Sequence, residues 1–88
     1  MYQVKKIVND ELAFSSRLVG SIQAAEYMLK SIATQENFIG EVSKSGQLVD
    51  IEKKTVLWSP GDNGVSYQDE KDNLTDITII TNQNTKEL

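Results

Sequence analysis

The run Asp69-Glu70-Lys71-Asp72-Asn73-Leu74-Thr75-Asp76 is the densest set of oxygen ligands in this chain, and hard-cation binding is the first chemistry to weigh. Calcium takes roughly six to eight oxygens, and a calcium loop sets Asp or Asn at alternate positions followed by a glycine. Here Lys71 fills an alternate position and no glycine follows, so no metal is expected. Two readings stay open for the run: a solvated turn between strands, and an acidic contact surface for a partner.

Pro60-Gly61-Asp62-Asn63-Gly64 has the glycines of a phosphate-cradling loop. It lacks the Lys-Ser/Thr of a P-loop, and no helix follows to supply an amide N-terminus. An ordinary tight loop is expected. Trp58, just before it, is the only tryptophan. It is either a core residue or an interface anchor, and the core is favoured because Val56 and Trp58 share one face of a β-rich run. Tyr67, across the loop, joins either role.

Catalysis has little to work with. The chain has no histidine and no cysteine, the side chains that most often act as base or activated nucleophile near neutral pH. Ser15, Ser16, Ser21 and Ser43 therefore have no imidazole beside them, and a lysine base would have to be buried. Paired carboxylates need a deep cleft, which a one-helix domain rarely forms. No enzyme activity and no cofactor are expected. Lys5-Lys6 and Lys53-Lys54 are the only basic pairs, each beside acids and without interleaved aromatics, so nucleic acid is not an expected partner.

Charge is distributed unevenly. Residues 1–59 balance seven basic against seven acidic side chains, and residues 60–88 carry six acidic against two basic, so the whole net charge of −4 lies there. An acidic end repels nucleic-acid backbones and attracts basic protein surfaces.

These groups need a scaffold. At 88 residues with 39% hydrophobic side chains the chain makes one small domain, burying roughly 60–65% of its unfolded surface. Tyr2 to Val8 reads as a strand, and Asp10 to Val19 as an extended segment interrupted at Ser15-Ser16. Ser21 is a good N-cap. After it Ile22, Ala25, Met28, Leu29, Ile32 and Ala33 recur at helical spacing, predicting a helix from Ile22 to about Thr34. Glu26 and Lys30 stand four apart on its polar side, in the favourable order. Phe38 to Val42 and Gln47 to Ile51 flank a Ser-Gly turn and read as a hairpin. Thr55 to Trp58, a short stretch around Val65 and Tyr67, and Leu74 to Thr81 read as further strands. The expected fold is α+β: one amphipathic helix on an antiparallel sheet of four to five short strands. Residues 1–81 form the domain and residues 82–88 a frayed tail.

The order of strand, polar extended stretch, Ala-rich helix after Gly20-Ser21, and the Glu36-Asn37-Phe38 strand resembles the lead-in of bacterial JAB-type domains over Val4 to Leu48. The histidine-bearing metal motif that defines that family is absent, so no residue role is carried over.

No apolar run approaches the roughly 20 residues that span a bilayer, and Asn9-Asp10 ends the apolar start too early for a signal peptide. A cytoplasmic protein with no membrane partner is expected. Eight of the nine basic residues are lysine, a bias found in AT-rich bacteria and their phages. The expected function is a small non-catalytic protein-binding module, a phage or mobile-element regulator or inhibitor docking on a basic protein surface. Its contact residues are Trp58, Asp62, Tyr67, Asp69, Glu70, Asp72 and Asp76. The alternative is a self-assembling structural or accessory subunit, a homo-oligomer joined through an exposed edge strand.

Overall fold

The computed structural model describes residues 1–82. The tail beyond Asn82, expected to fray, lies outside the described residues. Asn82 itself donates its amide to the Met1 carbonyl at 2.8 Å.

The chain opens with β1 (Tyr2–Val8) and β2 (Glu11–Ser15), joined by Asn9-Asp10. Both turn residues have positive φ, 49° and 68°, as a two-residue type I′ hairpin turn requires. Asn and Asp tolerate that left-handed backbone better than other side chains. The expected interruption at Ser15-Ser16 is a change of bonding at Ser16. Its amide donates to the Val4 carbonyl at 2.9 Å and its buried hydroxyl accepts from the Val4 amide at 2.8 Å. Pairing resumes where Val19 and Tyr2 exchange amide bonds of 2.8 Å.

The helix α1 (Ile22–Ala33) starts where expected, with the Ser21 hydroxyl accepting from the Ala24 amide. At its end the Thr34 hydroxyl donates to the Lys30 carbonyl at 2.9 Å. Its buried stripe is Ala25, Leu29, Ile32 and Ala33, with Ile22 and Met28 packed at the margins.

Then come β3 (Gly40–Val42), β4 (Leu48–Asp50), β5 (Thr55–Trp58), β6 (Gly64–Gln68) and β7 (Leu74–Thr81). The β3–β4 turn closes through Ser43 and Gly46, where Gly46 has φ +81°, a backbone region open to glycine at little cost.

The α+β class holds, but the strand count does not. Among the described residues seven strands form two antiparallel sheets: a four-stranded sheet in the order β2-β1-β7-β6, and a three-stranded meander β3-β4-β5. The single sheet of four to five strands is therefore corrected. The chain leaves the meander after Trp58 through the 59–63 loop and starts β6 on the other sheet. There β7 returns to lie between β6 and β1, pairing with β1 from Tyr2↔Thr81 to Val8↔Thr75.

One face of the larger sheet carries Val4, Val65, Ile77 and Ile79 into the core, where they meet the helix stripe; Leu48 and Trp58 of the meander join the same cluster. The other face, with Leu74, Asp76, Thr78 and Ile80 of β7, is open to solvent. No described helix is long and apolar enough to cross a membrane.

Candidate functional site

Trp58 is a core residue with no exposed surface. Trp58 is buried as expected, but not through the alternation of Val56 and Trp58. Leu48 pairs with Trp58 and Val49 with Val56, so a bulge at Leu57 breaks the alternation. Val56 is therefore 53% exposed, while Trp58 turns inward. A side chain with no accessible surface is not an anchor for a partner, so Trp58 leaves the contact set.

The 59–63 loop is built around that indole. Trp58 Nε1 donates to the Asp62 carbonyl at 3.0 Å, and the Asp62 carboxylate accepts from the Ser59 amide at 3.0 Å. Two helix side chains hold the loop from the other side. Glu26 accepts from the Gly61 amide at 2.9 Å, and Lys30 Nζ lies 5.9 Å from the Trp58 ring centroid, near the outer limit of a cation–π contact. The helix pair expected to support the polar face is thus aimed at the loop.

At the other end of β6, Tyr67 is half-buried. It meets Phe38 edge-on, with ring centroids 5.0 Å apart and planes at 73°, and its hydroxyl donates to the Ala33 carbonyl at 3.4 Å. Burial, then the negative charge of Asp69, push the Tyr67 phenol up to about 12.

Asp69 follows and is itself buried, 8% exposed. Its carboxylate accepts from the Lys71 amide at 2.8 Å, the Asn73 amide at 3.0 Å and the Asn73 side chain at 3.1 Å. Burial alone would raise its pKa. The amide donors of Asn73 and Lys71, with the charge of Lys6, outweigh that and hold it below the usual carboxylate range. Asp69 organises the turn and presents little of its charge to solvent.

Glu70 and Asp72 are exposed on this turn, and Asp76 is exposed on the open sheet face, where it accepts from the Ser66 hydroxyl. A shallow open depression of about 330 Å³ lies there. The cross-strand pairs Ser66/Asp76 and Gln68/Leu74 wall it, while Tyr67 and Thr75, pointing to the core side, contribute its floor. Among the described residues no group of three or more Asp or Glu is placed to hold a metal ion.

The predicted contact set is divided by the fold. Asp62 sits before β6 and Glu70 after it, at opposite ends of a five-residue strand that extends over about 13 Å at about 3.3 Å per residue. The same fold brings in acids that sequence reasoning placed in the neutral part of the chain. Asn9 of the first hairpin turn bonds Asn73 through its side chain at 3.0 Å and accepts from the Leu74 amide at 3.0 Å, which carries Asp10 and Glu11 alongside. The Glu70 amide donates to the Asn37 carbonyl at 2.9 Å, which brings Glu36. The acidic end therefore comprises Asp10, Glu11, Glu36, Glu70 and Asp72 around the buried Asp69, with Lys6 and Lys71 as the nearby cations. Leu12 and Leu74, each 60% exposed, lie beside it on the open sheet face. No signal in the sequence ties the first turn to the last, because their contact depends on β1 pairing with β7.

No family model, no curated protein and no solved structure matches this chain significantly.

Proposed function

We propose that this chain is a small non-catalytic protein-binding module whose acidic end docks on a basic surface of another protein, as a regulator or inhibitor. The supporting observation is the convergence of three separate acidic segments, 10–11, 36 and 69–72, at one end of the molecule through the bonds of Asn9 and Glu70. Excess negative charge gathered in one place steers encounter with an oppositely charged surface. Exposed Leu12 and Leu74 supply apolar area beside it. The absence of cysteine supports a reducing, cytoplasmic setting, and the lysine bias supports a phage or mobile-element origin.

The test is affinity capture with the wild type and a Glu36→Lys, Glu70→Lys double variant. Both positions are exposed, and neither has a left-handed backbone that lysine would strain. The wild type should retain a partner at low salt and release it as salt rises, and the variant should lose it mainly through a slower association rate. Equal capture by both refutes the acidic end as the contact surface.

Self-assembly is a second reading, favoured by the exposed edge of β2, whose every residue is accessible and whose Leu12 and Phe14 are 60% and 46% exposed. Against it, the ladder to β1 shifts register between Lys6 and Ile7, and the pairing is irregular again between Ser16 and Val19. Irregularities of that kind blunt an edge for strand addition. A light-scattering mass of a single chain at high concentration excludes this reading.

A further inference from the structure

We propose that Asn63-Gly64 is a self-modifying bond: in the folded protein the Gly64 backbone nitrogen attacks the Asn63 side chain, leaving aspartate and isoaspartate at position 63. It is the only Asn-Gly pair in the chain. The reaction needs a nitrogen free to approach Cγ, a following residue with little bulk, and an amide side chain not held elsewhere.

The second and third are present, and for the first the ladder leaves the Gly64 N–H unpaired. The Ile79 amide donates to the Asn63 carbonyl at 2.7 Å, which makes Asn63 and Ile79 a hydrogen-bonded pair. In an antiparallel ladder the next pair, Gly64↔Thr78, is then of the non-bonded kind, and the Gly64 N–H points away from β7. Among the described residues neither that N–H nor the Asn63 side-chain amide has a hydrogen-bond partner. Asn63 is exposed. Glycine at 64 is imposed by packing, since a Cβ there would stand 2.6 Å from the Ile77 carbonyl oxygen and 3.2 Å from Thr78 Cα. Close approach of β6 and β7 thus demands the residue that hinders attack least.

The Gly64 nitrogen gives its proton to solvent base and bonds to Asn63 Cγ, ammonia leaves with the amide nitrogen, and a five-membered imide remains. Water then opens the imide. Opening at the former side-chain carbonyl gives aspartate, and opening at the main-chain carbonyl gives isoaspartate, so the sum is water consumed and ammonia released. Either product adds a negative charge beside Asp62. Isoaspartate also turns the carbonyl that accepts from Ile79 into a free carboxylate and lengthens the backbone by one carbon. This happens at the base of the loop whose Asp62 carbonyl holds the Trp58 indole at 3.0 Å, so the converted chain covers Trp58 less tightly.

The experiment incubates the folded full-length protein at mildly alkaline pH and body temperature, beside the same chain in urea and an Asn63→Ser variant. Peptide mass mapping follows conversion at 63, enzymatic carboxyl methylation counts isoaspartate, and iodide quenching reports on Trp58. The expected result is conversion in the folded protein within about tenfold of the rate in urea. Isoaspartate should be among the products, quenching should rise in step, and Asn63→Ser should show neither change. An Asn63 that stays intact when folded but converts in urea overturns the proposal, because the ladder would then protect it. Conversion without isoaspartate overturns the imide route, and conversion without a quenching change overturns the effect on the Trp58 loop.

Discussion

Replacing Trp58 with alanine tests how much of this domain hangs on one indole. Trp58 is fully buried, and an aromatic of this size removes on the order of 200 Å² from water. At about 25 cal/mol per Å² that burial stabilises the fold by about 5 kcal/mol. A partly compact unfolded chain lowers this to about 3–4 kcal/mol. The bond from Nε1 to the Asp62 carbonyl adds little, since Asp62 is exposed and water replaces the lost donor. Lys30 over the ring adds about 0.5 kcal/mol. The expected loss is about 3–5 kcal/mol, in line with other aromatic-to-alanine core changes. A domain of this length holds only about 4–13 kcal/mol in total.

The assay is urea unfolding followed by far-UV circular dichroism, which does not depend on the missing fluorophore. Trp58→Phe, which keeps one ring in the site, should lose only about 1–2 kcal/mol and serves as the measurable variant if the alanine form lacks a folded baseline. In the wild type, Trp58 emission should be blue-shifted and poorly quenched by iodide. A loss below about 1.5 kcal/mol for Trp58→Ala, or a freely quenched indole, refutes a core that depends on the meander.

Leu29→Ala, in the centre of the helix stripe with no exposed surface, should cost about 2–4 kcal/mol by urea unfolding. In an alkaline absorbance titration one tyrosine should ionise near 12. Because the Tyr67 phenol is raised on folding, its contribution is complete below the unfolded value of about 10 and is lost as pH climbs from there through about 12. Tyr67→Phe should remove that late step. Asp69 is lowered on folding, so its contribution is present above the unfolded carboxylate value and is lost as pH falls through the folded one. Asp69→Asn should lower the melting temperature at neutral pH and flatten its decline in acid, and an acid profile identical to wild type refutes the role given to its three donors.

The helix and the Ser-Gly turn are determined by the sequence itself. Ser21 as cap, the stripe from Ile22 to Ala33, the Ser-Gly turn and the strand Leu74–Thr81 all depend on neighbours within a few residues, and local spacing reports local contacts. The sequence favours burial of Trp58 over an exposed anchor, although the bulge at Leu57, not simple alternation, turns it inward. What tertiary structure decided is everything that joins distant segments. The division into two sheets rests on β7 inserting between β1 and β6, a pairing across almost the whole chain that no local pattern encodes. The candidate contact surface changed for the same reason. Asp69 reads as one more exposed acid until its donors from Lys71 and Asn73 are seen, and Asp10, Glu11 and Glu36 read as balanced charges until Asn9 and Asn37 meet the final turn. Net charge is a property of composition, but where it gathers depends on which ends of the chain hydrogen-bond to each other.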